Sequence, residues 1–575
     1  MKKQTLLPNQ PTTGDQTTTV ETKPARAASR RQFLGSVSGA AAATLTATAI
    51  APAAQAQFGA GPKPACDEPF FPLGFEPASM TSNRYLKAYK CRTNAAKISR
   101  ERPLVFQQNN GDEIRYENWI GSYSKGLPHN RLGEVDAEAY GTLVRAREGN
   151  NPILFEQIKL GLGRKLTSPQ AGLAMDLQGP DSHHVKMPAA PAFSSAEEAG
   201  EMVELYWMAL LRDVGFHEYD THPLVAAACD EISRLQDFRG PRANGRVTPQ
   251  TLFRNNIPED TNGPWMSQFL LQNFYFGANL FSQKIRTLPA GQEFMTSYQD
   301  WLTVQNGGVP QTIAYDPVAR YQRNLRDVAE WVHVDALYQA YLQAALILMG
   351  QGTPLDGGLP LANSKTQLPF AQCGGPHILS LVTEVATRAL KAVWYQKWFV
   401  HHRLRPEAFG GRVHNHITRA ANYPIHGDVL NSRAVAETFS RTGTYLLPQA
   451  FPEGSPTHPA YGSGHATVAG ACVTILKAFF DEDAIVKNPV VANADGTELV
   501  PYVGAPLTVR GELNKVARNV ANGRNGAGVH WRTDAAESLK LGETVALGIL
   551  EEQKVTYNEE LEMTFTKFDG TKITI

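Results

Sequence analysis

Three short segments in the last third of the chain carry residues suited to holding and activating an oxyanion. The first is Lys397, followed eight residues later by Arg405-Pro406. Upstream, Leu381, Val382, Val385, Ala386, Ala389, Leu390, Val393 and Trp394 form an i, i+4 apolar stripe, and Lys397 continues it. A buried ammonium calls for an anionic partner, because burying it unpaired costs several kcal/mol. Proline disfavours the α conformation at Arg405, so the helix is expected to end near there. The second segment is Gly462-Ser463-Gly464-His465, before an apolar helix with Val468, Cys472, Val473, Leu476 and Phe480. The glycines permit close backbone approach, and the helix N-terminus favours an anion. His465, in the first turn, can move protons. The third is Arg524-x5-His530-x3-Asp534, read as the end of a Gly/Asn-rich loop leading into another apolar helix. His530 and Asp534, four apart, can share a helix face. An aspartate accepting one imidazole N–H leaves the other nitrogen a better nucleophile or ligand. Arg524 adds a planar fork suited to an oxyanion.

Each segment alone has a plainer reading. Lys397 can snorkel outward with Arg405 paired to Glu407. Gly-Ser-Gly-His can be an ordinary helix cap, and His530 a surface histidine beside a helix-start Asp. His401 and His402, adjacent on a helix, point apart and make poor co-ligands, so they are expected at the solvated surface.

The elements that must position these residues read as mainly α. Helical patterns cover 82–98, 196–215, 223–238, 265–276, 325–349, 378–401, 434–445, 465–481 and 533–551, while 103–135 reads as loop and short extended pieces. Met563, Phe565 and Phe568, then Asp569-Gly570, then Ile573 and Ile575 predict a hairpin. The expected fold is helical bundles, two four-helix-bundle-like cores, with few short strands and that small C-terminal hairpin. The expected layout is a signal peptide over 1–56, an extended arm and first helix over 57–110, an all-α domain over 111–555 with its site in 380–540, and a hairpin tail over 556–575.

Composition narrows the class. The chain has 575 residues, 42% hydrophobic and 19% charged, a globular mix. Its 55 basic and 55 acidic residues exclude a bulk positive field for nucleic acid. Five cysteines exclude a disulfide scaffold; Cys66 and Cys91 could pair, and Cys472 reads as a buried small hydrophobe. Residues 1–28 read as disordered. Ser29-Arg30-Arg31-Gln32-Phe33-Leu34, an Ala-rich stretch to Ala51, and Ala54-Gln55-Ala56 read as a twin-arginine export signal, placing the protein in the periplasm or outside the cell. Removing it would leave a net charge of −4, so a cationic site would be local. No later run of about 18 uncharged apolar residues predicts a membrane span.

Taken together and in this order, the three segments resemble the vanadium-dependent haloperoxidases, which share an anion site with the type-2 phosphatidic acid phosphatase superfamily. Ser124-Lys125-Gly126-Leu127-Pro128-His129-Asn130 with Gly133-Glu134-Val135, the run from Gly263 to Phe269, and Thr353-Pro354-Leu355-Asp356-Gly357-Gly358 are similar to haloperoxidase segments too. The resemblance implies a vanadate held by Lys397, Arg405, Ser463, Gly464 and Arg524. It implies His530 as the axial nitrogen ligand of vanadium, His465 as the acid–base residue, and Asp534 as the group orienting His530. Lys397 would also polarise the activated peroxide. The metal would act as a Lewis acid without changing oxidation state. Hydrogen peroxide, a halide and a small organic acceptor are the implied partners, with no haem. His458, seven residues before His465, is similar to the bromoperoxidase pattern, though it can be a structural loop histidine. Trp394, one turn before Lys397, does not separate the halides. Bromide or iodide is the expected halide. Members are often homo-oligomers and some carry calcium; the sequence assigns no calcium ligands either way. Two alternatives use the same residues: a soluble acid phosphatase with His530 as nucleophile and His465 as general acid, and a non-catalytic oxyanion-binding protein.

Overall fold

The computed structural model describes residues 77–149 and 151–575, so the expected leader and its expected disordered start, most of the arm and Cys66 lie outside the described residues. Among the described residues there are sixteen α-helices and six three-residue strands, the strands in three antiparallel pairs. The mainly helical expectation holds. No helix there is long and apolar enough to cross a membrane.

The Gly464–Phe479 helix is the axis of a four-helix bundle formed with Gly375–Tyr395, Val509–Gly526 and Arg532–Lys554. Every residue of it except His465 is buried. Helix 464–479 meets helix 532–554 almost backbone to backbone. A Cβ on Gly470 would lie 2.1 Å from the Leu539 carbonyl oxygen, and one on Gly542 1.9 Å from that of Thr467, so neither tolerates a side chain. A second helical group joins Ala196–Leu210 to Pro223–Arg234, Gly427–Leu430 and Arg433–Thr442. Both groups share one continuous apolar core. At the C-terminus Thr564–Thr566 pairs with Lys572–Thr574, with Phe565 opposite Ile573, as the alternation and Asp569-Gly570 predict.

Four expectations are corrected. The 265–276 stretch is not a helix: it is a 3-10 turn at Gln268–Leu270 and a strand at Phe274–Phe276. The Ser267 hydroxyl caps the turn by accepting from the Phe269 amide, and the aromatic run Phe274-Tyr275-Phe276 suits a strand. The 325–349 pattern is two helices, Leu325–Val334 and Gln339–Gly350. The Gly/Asn-rich stretch before His530 is not a loop but the helix Val509–Gly526. It carries an apolar stripe at Val509, Leu513, Val516, Ala517 and Val520, but the buried Asn514, Lys515, Arg518, Asn519, Asn522 and Asn525 give the stretch a loop-like composition. His401 and His402 are not solvated. The helix after Tyr395 widens into a π turn, Gln396–His401, and His402 takes a left-handed conformation at φ 48°. His401 is 5% exposed beside the Gln396 amide, and His402 bonds Glu113 and the Trp398 carbonyl.

Candidate functional site

Lys397 sits inside the π turn that closes the 375–395 helix. π turns displace side chains from the regular helical register and recur at functional sites. Lys397 is fully buried, and its ammonium donates to the carbonyls of Pro459 and Ala460 at 2.9 and 3.0 Å. Arg405, extended before Pro406 starts the next helix, is also fully buried. Its Nε donates to the His458 carbonyl at 3.0 Å and its Nη1 to the Val529 carbonyl at 2.7 Å. The same guanidinium reaches His530 Nε2 and His458 Nδ1, both at 2.9 Å. Arg524 closes the 509–526 helix, donates through Nη1 to the Val332 carbonyl at 2.9 Å, and stands over the Phe451 ring.

A guanidinium has only donors, so His530 Nε2 is an acceptor. Nδ1 lies 2.7 Å from Asp534 Oδ2 and supplies the donor. Burial, reinforced by Arg405, Lys397 and Arg524, holds the His530 pKa well below the usual imidazole value. The ring is therefore neutral, with its Nε2 lone pair turned toward positive charge. Asp534 also accepts from the Trp531 amide at 3.2 Å at the start of the Arg532–Lys554 helix.

Ser463 is the N-cap of the axial helix and accepts from the Ala466 amide. Gly464 is the first helical residue; a Cβ there would lie 3.1 Å from the Trp394 ring, which would have to give by a few tenths of an ångström. The Trp394 ring stands 4.7 Å from the His458 ring and 5.7 Å from the Lys397 ammonium. His465 Nε2 lies 2.9 Å from Asp335 Oδ1. Asp335 is the residue after the Leu325–Val334 helix, so the break in the 325–349 pattern delivers this partner.

The structure thus brings together Lys397, Arg405, His458, Ser463, Gly464, His465, Arg524, His530, Asp534 and Trp394. The plainer readings of Lys397 and Arg405 fail. Lys397 does not snorkel, and Glu407 pairs with buried Lys125 at 2.6 Å.

The site carries a charge imbalance. Among the described residues Lys397, Arg405 and Arg524 pair with no carboxylate, because the nearby ones are engaged elsewhere: Asp534 by Arg403, Glu407 by Lys125, Asp335 by His465, Glu453 by His333. Arg524 Nε is buried without any partner. Burial, helped by Arg405, drives the Lys397 pKa well below its usual value, and burial pushes Arg405 and Arg524 down to about 10. An oxyanion among them relieves all three, and the donor set of ammonium, two forks and a helix N-terminus matches one. No group of three His, Cys, Asp or Glu side chains able to hold a bare cation occurs among the described residues.

A strap crosses the outer side of the site. Thr167 donates its amide to Thr457 and accepts from Trp394 Nε1 through its carbonyl, Gly172 lies against the backbone of Tyr395, and Asp176 pairs with Lys391 at 2.7 Å. Between the last two anchors stands Met175, 75% exposed.

Residues 378–558 match a family model described as the second helical-bundle domain of VCPO. The vanadium-dependent bromoperoxidase of Corallina pilulifera is 37% identical, over 87% of this chain and all of its own length. That of Ascophyllum nodosum is 34% identical, over 85% of this chain and 91% of its own. The chain belongs to the vanadium-dependent haloperoxidase family. A solved homohexameric vanadate-dependent bromoperoxidase of Ascophyllum nodosum superposes with a TM-score of 0.83 at 31% identity, covering 86% of this chain and 90% of its own. Against this haloperoxidase fold, the sequence reading missed the residues that brace the site rather than form it. Asp335, Glu198, Glu201 and Lys125 belong to segments distant in sequence, while Arg403 and Glu407 flank Arg405. The signal available for Glu198 and Glu201 was charged residues inside an apolar helical run.

Proposed function

We propose that the protein oxidises bromide with hydrogen peroxide to hypobromous acid, using vanadate held at this site, and so brominates small organic acceptors. The single observation that carries this is three buried, unneutralised cations around a neutral imidazole whose Nε2 lone pair faces them. Vanadate bound there would supply Lewis-acid activation of peroxide. Lys397, Arg405, Arg524, Ser463 and the Gly464 amide would hold its oxygens, and His530 Nε2 would ligate the metal. Everything else falls to the protein. Lys397 would donate a charge-assisted hydrogen bond to the bound oxyanion. His465 donates Nε2–H to Asp335, leaving Nδ1 to take and return the proton that turnover consumes. The Trp394 and His458 rings pack together beside Lys397 and Arg405, where a halide would approach. His458 accepts from Arg405, so it stands there as a neutral ring.

The homohexameric relative supports a homo-oligomer, and the twin-arginine pattern supports export. The test is bromination of a phenol dye with peroxide and bromide, with and without orthovanadate, alongside the vanadium content of the reconstituted protein. Vanadate-dependent bromination at one vanadium per chain is expected. Phosphate-ester cleavage without bromination would make the site a phosphatase, and tight vanadate binding with neither activity would make it an oxyanion store.

A further inference from the structure

The anion site rests on a second buried charge cluster centred on Arg403. This arginine stands two residues before Arg405 and is 3% exposed. Its Nη1 donates to Asp534 Oδ1 at 2.9 Å. Its Nη2 donates to Glu198 and to Glu201, the latter at 2.9 Å. The Trp531 ring lies 4.8 Å from the guanidinium. Asp534 is thus held at both ends, Oδ1 by Arg403 and Oδ2 by the Nδ1 of His530.

The glutamates form a row. Glu198, Glu201 and Glu204 recur every third residue along the Ala196–Leu210 helix, all buried. Glu201 also accepts from the Thr533 amide at 2.9 Å, and Glu204 takes the Arg532 guanidinium. One helix therefore grips the start of the helix that carries Asp534. Arg403 reaches the other side of the site through its backbone: its carbonyl accepts from the Ala460 amide, and the Ala460 carbonyl accepts from Lys397, both at 3.0 Å. A buried cluster of this kind is weak support for stability, since well-packed apolar residues often do as well. What it supplies is a fixed geometry.

We propose that Arg403 is a positioning residue for the axial imidazole: it locks Asp534 with Oδ2 toward His530 Nδ1, so that Nε2 points into the three cations. This rests on the vanadate reading of the site. A carboxylate behind a metal-bound histidine sets ring orientation and basicity, and losing such support typically weakens metal binding about 10–100-fold. Arg403 acts one step further out, on the carboxylate.

The experiment compares two oxyanions on the full chain produced without vanadate. Orthovanadate bonds the imidazole nitrogen; inorganic phosphate is held by charge and hydrogen bonds alone. Dissociation constants for both are measured by calorimetric titration in the wild type, Arg403→Gln and Arg403→Lys. Arg403→Gln is expected to weaken orthovanadate at least tenfold while phosphate changes less than threefold. Arg403→Lys, which keeps the charge but loses the fork, is expected to fall between, and carries the test if Arg403→Gln does not fold. Equal weakening of both anions would make Arg403 a general structural residue and overturn the inference. So would a wild-type preference for orthovanadate that survives in the variants. A wild type with no such preference would sink the vanadate reading itself, and the inference with it.

Discussion

Arg524→Ala separates binding from folding. In the wild type Arg524 makes one hydrogen bond, to the Val332 carbonyl, leaves Nε without a partner, and repels both Lys397 and Arg405. Truncation loses about 1 kcal/mol of hydrogen bonding, some contact with Phe451 and the attraction of Asp335 and Glu453, and removes a buried charge that repels Lys397 and Arg405. These oppose, so the ligand-free stability should change by less than about 2 kcal/mol. At ~2.1 cal/mol/K per residue, some ~500 ordered residues give an unfolding entropy of roughly 1 kcal/mol/K, so that change is about 2 °C in Tm. Anion binding responds differently. Phosphate at about 100 times its Kd stabilises the wild type by about 2.7 kcal/mol, or ~2.6 °C. Losing a charge-assisted contact worth about 2 kcal/mol weakens binding ~30-fold, and at the same phosphate concentration the stabilisation falls to about 0.9 kcal/mol, or ~0.9 °C. Differential scanning calorimetry with and without phosphate reads both quantities. A variant melting more than about 5 °C lower, with the full phosphate shift retained, would refute the reasoning and make Arg524 a folding residue.

Three further outcomes are expected. His530→Ala should leave phosphate affinity within about threefold and abolish the preference for orthovanadate, read by competition between the two anions; a surviving preference removes His530 from the metal. His465→Ala should keep the vanadium content and lower bromination turnover by ~10²-fold or more, the usual worth of a general acid–base group; unchanged turnover would free His465 of that role. His333 lies between Glu330 and Glu453, whose hydrogen bonds and charge outweigh burial and raise its pKa to about 9. A raised histidine pKa stabilises the fold fully below the unfolded value, near 6.5, and that contribution disappears as pH rises through about 9. The melting temperature should therefore decline between about pH 6.5 and 9 by an amount that shrinks in Glu453→Gln, and an identical decline in the variant would discard the pair as its cause.

The chemistry of the site was legible because its residues are unlike their surroundings. Lys397 interrupts an apolar stripe, Gly-Ser-Gly-His opens an apolar helix, and His530 and Asp534 keep helical spacing. The bundle helices with apolar inward faces were legible for the same reason. Polar interiors were not. The 509–526 helix keeps an apolar stripe at Val509, Leu513, Val516 and Val520, but the asparagines, lysine and arginines it also buries made the stretch read as loop. The local conformations at His402 and Asp335 were hidden too: a π turn and a helix break depend on packing that no local pattern records. The bracing charges around Arg403 come from segments about 130 and 200 residues away in sequence, and only the fold unites them.

The strap over the site has a chemical consequence. Of the methionines whose side chains are described, Met175 alone is exposed; the others are buried or half-buried. Its thioether is an exposed soft nucleophile on the segment that runs along the 375–395 helix, and hypobromous acid converts thioethers to sulfoxides, with bromide as the by-product. In a working enzyme, peptide mapping of residue 175 would thus record cumulative product release, with the interior methionines as an unmarked internal standard.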